Sequence, residues 1–465
     1  MTTLTDEALV TRLRGIVPTV NDEQEALAEW SKDWWPAEAK QYIEDADLPA
    51  AAVSPDTVGE VAAVVRLAVE NGRPLMPRGG GSNLVGALEP LPGAIVVQLS
   101  GLNMIDPVND INGTVRVDAG VYGGELEGRL AEQGYTLGFD PASLHLSTVG
   151  GWVATGAAGI ESTGSGSIDR LVVGIEAVLA DGSIVTALPR PGRGAGPGWR
   201  ELLAGSEGAF GIVTAVWLRV RPMPEARRFR AYDMPSFPAA LDAIRTTLQR
   251  GCVPAVVRLL DDVESRELSD RLQIDSSGNL LMLMFEGIKE LADAEERAVD
   301  RAIAAAGGRD LGADPCARWH GDRYSADWIV DGNEEEGDIA DCVDVVASWD
   351  VVDAVIAAGR EALAPFATRA SVRCAHFHAD GAAIEFTFAI ERDTEDQALD
   401  AYEAACTALM RAVIDGGGGI AHHSGIGRAR LPWLAEELGS GMDVLRLLKA
   451  ALDPRGIMNP GRLRA

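Results

Sequence analysis

The sequence predicts an α+β fold built from two domains. Three observations lead to this prediction. A β-α-β pattern ends in a run of three glycines at Gly79–Gly81. Pro222 and Pro224 then interrupt the chain after a strongly apolar segment, which marks a boundary. Beyond that boundary, helical and strand-like segments alternate as far as residue 415.

Before the boundary, apolar spacing and turn residues place the elements. Residues 1–47 have helical spacing and are predicted to form a peripheral helical segment. Ala50–Val53 and Leu75–Pro77 are predicted as short strands, joined by a helix that starts after Pro55 and ends at Gly72. The following elements, in chain order, are strands within residues 94–100 and 114–120, a helix over Gly124–Gln133, a strand–turn–strand unit within residues 170–185, and a short helix and a long strand between residues 198 and 220.

After the boundary, the pattern predicts strands interleaved with longer helices. The acidic stretch Asn333–Asp341 is predicted to be a solvated loop. The other elements, in chain order, are a strand at 229–234, a helix at 237–251, strands at 255–262 and 280–287, helices at Ala292–Gly307 and 351–363, a β-hairpin at 370–393, a helix over Thr394–Asp415 and a last helix within 416–465.

The composition excludes several classes of protein. The chain has 465 residues and a formal net charge of −29, which argues against non-specific nucleic-acid binding because phosphate contacts need clustered Lys and Arg. It has no apolar run of about 18 residues and no basic N-terminus followed by an apolar segment. Neither a membrane span nor a secretory signal is therefore expected. The five cysteines are scattered without CxxC spacing, which favours reduced thiols and a cytoplasmic location.

The segment Pro77–Asn83, PRGGGSN, is the first candidate site. Glycine adopts positive φ readily and has no Cβ, so successive glycines let backbone N–H groups turn toward one anion. The segment matches neither the P-loop pattern GxxxxGK[ST] nor the dinucleotide-binding pattern GxGxxG. We predict a nest for a phosphate or pyrophosphate here, with an ordinary surface turn as the alternative.

Two further segments have the composition of backbone that lies close to a flat ligand. Residues 140–162 are rich in small residues and nearly free of charge. A second glycine turn follows at Gly205–Gly211, directly before a strong strand. The order of the three segments is more specific than any one of them alone.

In this order the segments resemble the flavin-binding module of the vanillyl-alcohol oxidase superfamily. The resemblance covers residues 48–224 and implies a two-subdomain, PCMH-type FAD-binding domain. FAD is expected to bind non-covalently, because residues 77–87 contain no His or Cys to attach it. The cofactor-binding residues that the resemblance implies are Pro77, Arg78, Gly79, Gly80, Gly81, Ser82, Asn83, Pro141, Ser143, Ser147, Thr148, Gly151, Thr155, Ala158, Glu207, Gly208, Gly211, Ile212 and Val213.

The rest of the chain narrows the resemblance. The segments RPMPEARRFRAYDMPSFPAALDAI, HHSGIGRARLPWL and LDPRGIMNPGRL are similar to alkyldihydroxyacetone-phosphate synthases, over about residues 48–463. Members of that family use flavin N5 to exchange the acyl group of acyl-dihydroxyacetone phosphate for a fatty alcohol, which makes an ether bond. The resemblance implies an antiparallel-sheet cap (substrate) domain over residues 225–415 and a segment, 416–465, that closes the active site.

Five residues are the catalytic candidates. Arg258 stands where the family has a functionally needed arginine, and Arg373 lies where an arginine would hold the substrate phosphate. His422 and His423 fall in the family's histidine run and would move protons near the flavin. The fifth candidate, Glu385, is a carboxylate within an apolar strand.

Two positions depart from that family. Ser424 replaces the third histidine of the run, and Glu385 stands at or beside the tyrosine proposed as the family's acid/base. A buried carboxylate with a tuned pKa would replace the tyrosine, or the ether-forming chemistry is absent. Arg373 and His376 are three residues apart on one strand, so they face opposite sides unless a bulge intervenes.

Other interpretations stay open. The chain also resembles FAD-dependent dehydrogenases or oxidases of a 2-hydroxyacid or another small alcohol, in which Arg373 would hold a carboxylate and a histidine would take the proton. Our first interpretation assigns no metal, but this second one allows a metal held by His376, His378, Glu385 and His422 or His423. A third is a non-catalytic binding module that keeps the flavin fold. The expected partner is a small-molecule substrate, which the arginines allow to be anionic; a homodimer is left open.

Overall fold

The α+β class predicted from the sequence is confirmed. The computed structural model describes residues 4–39, 47–192, 194–196, 198–276, 278–324 and 337–463. These residues form two four-stranded sheets, a two-stranded pair and one seven-stranded sheet, with helices packed between and around them. Within the described residues, no helix is both long enough and apolar enough to cross a membrane.

The elements before the predicted boundary are short. The strands are β1 (Thr19–Asn21), β2 (Ala51–Ser54), β3 (Leu75–Arg78), β4 (Ile95–Gln98), β5 (Thr114–Asp118), β6 (Tyr135–Thr136), β7 (Val172–Val178), β8 (Ile184–Ala187), β9 (Ile212–Arg219) and β10 (Arg221–Pro222). The helices are α1 (Asp6–Leu13), α2 (Gln24–Trp30), α3 (Pro36–Ala39), α4 (Val58–Asn71), α5 (Gly123–Ala131), α6 (Val149–Thr155), α7 (Ser162–Ser165), α8 (Ile168–Leu171) and α9 (Trp199–Leu203), with a 3₁₀ turn at Leu99–Gly101.

The β-α-β unit that leads to the triple glycine forms as predicted. Thr57 caps α4 in a reciprocal capping box with Glu60, and Gly72 ends the helix with a φ of 63°. Strands β2, β4 and β3 run parallel, and β1 joins their sheet antiparallel to β2. The chain therefore leaves β3 at the carboxyl edge of this sheet and enters the triple glycine there.

The second four-stranded sheet is antiparallel and has the order β5-β9-β7-β8. Helix α6 packs against β9 and β5. The small-residue segment of the sequence is thus placed between the two sheets, in direct contact with the triple glycine.

After the boundary the elements are longer. The strands are β11 (Ala226–Met234), β12 (Val256–Leu260), β13 (Asn279–Gly287), β14 (Arg309–Gly312), β15 (Asp338–Ser348), β16 (Arg369–Phe377) and β17 (Gly381–Glu391). The helices are α10 (Phe237–Gln249), α11 (Asp262–Leu272), α12 (Lys289–Ala305), α13 (Asp314–Gly321), α14 (Val352–Leu363), α15 (Glu395–Asp415), α16 (Leu431–Leu438) and α17 (Gly441–Leu452).

The seven strands make one antiparallel sheet in the order β14-β11-β13-β12-β16-β17-β15. Strand β13 is apolar on both faces. Leu281 and Leu283 belong to the main core together with α10 and α12, whereas Met282 and Met284 belong to a second cluster that includes Leu268 of α11. Helices therefore cover both faces of the sheet.

Two local predictions were wrong. Asp338–Asp341 belongs to strand β15 rather than to a loop; residues 333–336 of that prediction lie outside the described residues. Asp341 is buried and accepts a hydrogen bond from Tyr402, a partner distant in sequence that a local count of charges does not detect. The N-terminal segment is not peripheral either, since Leu9 and Leu13 are fully buried in the main core and β1 extends a sheet.

The C-terminal segment returns to the first sheet. Leu75 of β3 donates its N–H to Ile457 and accepts one from Asn459, so the chain end adds a bridge beside β3. The division into residues 1–47, 48–224, 225–415 and 416–465 remains a prediction. The observed change from short to long elements near Pro222 supports one of its boundaries.

Candidate active site

A cleft of about 440 Å³ lies between the triple glycine and the seven-stranded sheet. Every residue predicted to bind the cofactor, from Pro77 to Val213, lines this cleft. Arg258, Arg373, Glu385 and His423 line it too, whereas His422 does not. The structure thus brings together two sets of residues that lie up to several hundred positions apart in sequence.

The triple glycine packs too closely against its neighbours to allow side chains. A Cβ at Gly80 would lie 2.0 Å from the carbonyl oxygen of Leu146, and one at Gly79 would lie 2.4 Å from Oγ1 of Thr148. Gly81 has a φ of 69°, which suits glycine. Asn83 ends the segment by donating its Nδ2–H to the backbone oxygen of Ser424 at 2.8 Å. Bare backbone therefore faces the cleft, as an anion nest requires.

The wall beside the triple glycine is small and uncharged. Thr148 caps α6 by accepting the N–H of Gly151, and Ser147 accepts the indole N–H of Trp152 at 2.7 Å. These hydroxyl groups are used within the wall, which leaves a smooth surface beside the nest. A nest for a pyrophosphate that adjoins a smooth wall for flat rings fits FAD.

Glu207 holds the C-terminal loop rather than pointing at the cofactor. It is buried with a φ of 49°, and its carboxylate accepts the backbone N–H groups of Ile426 and Gly427. Its own carbonyl oxygen accepts the amide N–H of Asn459 at 2.6 Å. Burial raises the pKa of Glu207, and the two backbone N–H groups oppose this rise. Glu207 thus joins the second glycine turn to the loop that carries the histidines.

Strand β16 contains the bulge that a shared role of Arg373 and His376 requires. The pairing of β16 with β17 shifts register between Cys374 and His376. The extra residue turns His376 to the side of the sheet on which Arg373 lies. Glu385 of β17 consequently contacts both side chains: it forms an ion pair with Nε of Arg373, and its Oε1 lies 3.8 Å from Nε2 of His376.

The two arginines have different partners. Arg373 pairs with Glu385, with Glu264 at 3.1 Å, and its Nη2 lies 3.4 Å from Sγ of Cys342. Arg258 on β12 stacks on the ring of Trp319, with 5.1 Å between the guanidinium carbon and the ring centroid. Arg258 lies 3.7 Å from Glu264, and its Nε has no hydrogen-bond partner among the described residues. Arg258 therefore lines the cleft and has a buried donor, Nε, for which the described residues offer no acceptor.

Glu385 stays ionised in this environment. Burial alone would raise the pKa of its carboxyl group, but Arg373, His423 and Arg258 together hold the pKa below its ordinary value. Such a carboxylate has no proton to donate near neutral pH and is a weak base. Its geometry suits the orientation of Arg373 better than the acid/base role considered from the sequence.

The histidine loop is held by a buried carboxylate on β15. Oδ2 of Asp344 accepts the backbone N–H groups of His422 and His423, both at 2.8 Å, and lies 3.6 Å from Nδ1 of His423. Oδ1 of Asp344 pairs with Arg430 at 2.6 Å. Burial alone would raise the pKa of Asp344, but Arg430 and His423 hold it well below its ordinary value. Asp344 is therefore a fixed negative charge behind His423.

His422 lies behind His423, away from the cleft. Its Nδ1 is 3.0 Å from Nδ1 of His423, and its Nε2 is 2.8 Å from Nε2 of His378. Its ring stacks on that of His376 with 5.4 Å between centroids. Burial and the neighbouring His423 lower the pKa of His422 to about 3, so this ring is neutral at physiological pH.

A metal ion fits this site poorly. Ligand atoms of His376, Glu385 and His423 lie within 4.8 Å of one another. Glu385 is already paired with Arg373, and Arg258 is a second guanidinium near the same carboxylate. A divalent cation would have to displace Arg373 from Glu385 while it is repelled by Arg258. His378, the fourth ligand of the metal hypothesis, contacts His422 instead.

Sequence reasoning missed the residues that hold the site together. Asp344, Arg430 and Glu264 carry charges that position the candidates, but each pairs with a residue distant in sequence. A signal existed for Asp344, because Ile339, Val343 and Val345 give the apolar spacing of a strand around it. The cleft residues Arg323 and Tyr324, which both bind Asp140, had no such signal.

Comparisons with known proteins agree with this geometry. A protein family described as FAD binding domain matches residues 49–188, and one described as FAD linked oxidases, C-terminal domain, matches residues 223–463. Alkyldihydroxyacetonephosphate synthase of Trypanosoma brucei brucei is 27% identical, over 89% of this chain and 73% of its own length. Glycolate oxidase subunit GlcD of Bacillus subtilis (strain 168) is 25% identical, over 90% of this chain and 89% of its own length.

A solved structure shows the same fold. A crystal structure of alkyldihydroxyacetonephosphate synthase superposes with a TM-score of 0.82 at 23% identity, over 99% of this chain and 86% of that chain. The predicted combination of a flavin-binding module with an antiparallel-sheet domain is thereby confirmed. The second family match covers more than half of the chain. The chain belongs to the family of FAD-linked oxidases, and its cofactor is FAD.

Proposed function

We propose that the protein is an FAD-dependent oxidoreductase that oxidises a small anionic alcohol of the 2-hydroxyacid class. The observation that carries this proposal is the joint presence of Arg258 and His423 in the cofactor cleft. One has unused donor capacity for an anion, and the other is a histidine backed by a buried carboxylate. Bound FAD supplies an isoalloxazine ring that accepts a hydride at N5.

In this proposal Arg258 binds the carboxylate of the substrate. A planar guanidinium suits a carboxylate, and Trp319 lies against the guanidinium of Arg258. Arg373 is already bound by Glu385 and Glu264, so it positions the neighbouring groups and adds positive charge. The substrate hydroxyl would then lie near His423.

His423 removes the hydroxyl proton. The charge of Asp344 near Nδ1 favours a proton on that nitrogen, which leaves Nε2 as the basic atom. Asp344 also stabilises the imidazolium that forms when Nε2 takes a proton. The backbone N–H bonds of His422 and His423 to Asp344 hold the histidine loop beside the cleft.

A second candidate function is ether-bond formation, the first expectation from the sequence. The named relative at 27% identity favours it. The ionised state of Glu385 opposes it, because the family resemblance places an acid/base tyrosine at or beside this position. The glycolate oxidase relative has a name that agrees with the oxidation.

An anaerobic titration of the FAD-loaded protein tests the proposal. We would add D-lactate, glycolate and D-2-hydroxyglutarate, then uncharged alcohols, and follow the visible absorbance of oxidised flavin. Bleaching by a hydroxyacid supports the proposal. If the hydroxyacids leave the flavin oxidised while palmitoyl-dihydroxyacetone phosphate bleaches it and hexadecanol restores it, the protein makes ethers. If the protein binds no FAD, or if none of these compounds bleaches its flavin, the result favours the non-catalytic binding module.

A further inference from the structure

Three imidazole rings form a continuous chain from the cleft toward the protein surface. His423 lines the cleft, His422 follows at 3.0 Å between Nδ1 atoms, and His378 follows at 2.8 Å between Nε2 atoms. His378 is half-buried, and the next residues, Ala379 and Asp380, are exposed. Both ring nitrogens of His422 are thus used, one toward each neighbour.

We propose that His423, His422 and His378 form a proton relay that connects the substrate hydroxyl with solvent. The inference rests on the proposed function in one respect, namely that His423 takes the substrate proton. The relay explains why His422 lies outside the cleft and yet has both nitrogens within hydrogen-bond distance of another histidine. A ring in this position passes a proton on because it can accept at one nitrogen and donate from the other.

Each transfer balances. His423 accepts the hydroxyl proton at Nε2 and releases its Nδ1 proton to Nδ1 of His422. His422 then releases its Nε2 proton to Nε2 of His378. His378 releases its Nδ1 proton to water at the surface. One proton has left the substrate and one has entered solvent, and no electron has moved through the rings.

The resting direction of the relay is set by Asp344. Its carboxylate, 3.6 Å from Nδ1 of His423, favours a proton on that atom, so the chain starts with its donors pointing outward. One passage reverses all three tautomers and leaves a proton on Nε2 of His423. Nε2 of His423 can then donate this proton back into the cleft. This suits a flavin enzyme, whose reaction has a reductive and an oxidative half.

The environment of the rings fits transfer rather than storage of protons. Burial lowers the pKa values of His422 and His378, so both rings are neutral before a proton arrives. At the outer end, Asp380 and Asp169 attract a proton while Arg170 repels one. His376 stacks on His422 but is not in the hydrogen-bonded chain, and its Nδ1 has no partner among the described residues.

The kinetic test compares wild type with His378→Gln, which keeps a hydrogen-bonding side chain but cannot relay a proton. Flavin bleaching by D-lactate or another active hydroxyacid is followed together with proton release to a pH dye. Release should lag behind bleaching about tenfold or more in the variant, and imidazole in the buffer should restore it. The control is His320→Gln, because His320 belongs neither to the three-histidine relay nor to the cleft. This variant should behave like wild type. Unchanged proton release in His378→Gln, or a lag that imidazole does not shorten, would overturn the relay.

A measurement without substrate separates the relay from the proposed reaction. Histidine ring ¹⁵N NMR of the FAD-loaded wild type should show both nitrogens of His422 in hydrogen bonds. In His378→Gln the Nε2 signal should change and the signals of His423 should follow. If no hydroxyacid bleaches the flavin of the wild type, the proposed function is refuted. The NMR result still decides whether the three histidines are connected by hydrogen bonds. A His422 ring with a freely hydrated nitrogen would contradict it.

Discussion

Asp344 carries a negative charge at a place that water does not reach. It is 1% exposed, and its two oxygens receive Arg430 and the backbone N–H groups of two successive histidines. A buried charge is stable only when its neighbours satisfy it fully. The position of the histidine loop therefore depends on this carboxylate more than on any contact made by the histidine rings.

Replacement of Asp344 by Asn should damage both stability and activity. It leaves Arg430 buried without a counter-charge, which costs about 3–5 kcal/mol of unfolding free energy. It also removes the charge that favours Nε2 of His423 as the base, so flavin reduction by a hydroxyacid should slow about 100-fold. Guanidinium unfolding and stopped-flow bleaching measure the two effects. Asp341→Asn, a buried carboxylate on the same strand without contact to the histidines, is the matched control; equal slowing in both variants would contradict the role of Asp344.

The raised pKa of Asp341 predicts how the stability of the protein depends on pH. Burial raises the pKa of Asp341 to about 6 from an ordinary value of 3.8, and Tyr402 and Cys342 oppose the rise. The folded protein binds this proton more tightly than the unfolded chain, so the stabilisation is present below the unfolded pKa and is lost as pH rises through 6. From pH 4 to pH 8, Asp341→Asn should gain about 2 kcal/mol relative to wild type. Urea unfolding at several pH values measures this, and parallel curves for the two proteins would refute it.

Arg258 should decide the preference for anions. Arg258→Gln removes the charge but keeps donors, so KM for D-lactate should rise about 10- to 100-fold, as expected for a hydrogen bond to a charged group. KM for the neutral lactamide should change little. Arg271→Gln, an arginine in the same cleft that pairs with Asp322, is the control. An equal rise of KM for both substrates would show that Arg258 supports the structure of the cleft instead.

At the scale of single residues, the sequence identified those site residues that belong to a recognisable motif. Pro77–Asn83 has a composition that suits close backbone packing, and it lines the cleft together with every other predicted cofactor residue. Arg258, Arg373 and His423 also reach it. Arg430 and Glu264 could not be found, because a buried ion pair is recognisable only once its two halves are known to meet. For Asp344 the apolar spacing of the surrounding strand was a signal, but the acidic composition before it favoured a loop.

The elements of the cofactor site depend on glycine where backbones approach. In Gly80→Ala the new methyl group would meet the carbonyl oxygen of Leu146, so the nest must open and FAD affinity should fall at least about tenfold. Gly128→Ala is the control, because its Cβ meets nothing within 4 Å and lies in helix α5. The control should bind FAD normally and gain about 0.5–1 kcal/mol of stability. Fluorescence titration of apoprotein with FAD checks both; full affinity in Gly80→Ala would contradict the nest.

Strand β15 shows the limit of prediction for elements. The helices with clear apolar spacing and good caps, such as α4, were predicted nearly to the residue. Strand β15 begins within an acidic stretch, and its carboxylates are paired by Tyr402 and Arg430 from beyond the sheet. Local acidic composition therefore favoured a loop, although the apolar spacing of Ile339, Val343 and Val345 is that of a strand.

At the scale of the whole molecule, residues near the C-terminus contact segments that line or adjoin the cleft. Asn459 binds Glu207, Ile457 and Asn459 bridge to β3, and Asn83 binds the loop at Ser424. These contacts join the two parts of the chain across the cofactor cleft. Ligand in the cleft therefore stabilises both parts at once.

Removal of FAD should lower the stability of the entire protein. Free FAD at 100 times its dissociation constant contributes about 2.7 kcal/mol, so the melting temperature should rise with FAD concentration. Acid precipitation should release all flavin into the supernatant, since binding is predicted to be non-covalent. Flavin retained in the pellet would refute that prediction. A melting temperature independent of added FAD in the stripped protein would contradict the closed arrangement.

The bulge in β16 matters for anyone who aligns this strand with a relative. Its extra residue puts Arg373 and His376 on one face, so the spacing between them has meaning only together with the register shift. An alignment gap moved by a single position would match these side chains with residues of the opposite face. Roles can thus be transferred along this strand only between chains that share the insertion. A designer who moves the site to another sheet has to take Arg373–Phe377 as one piece.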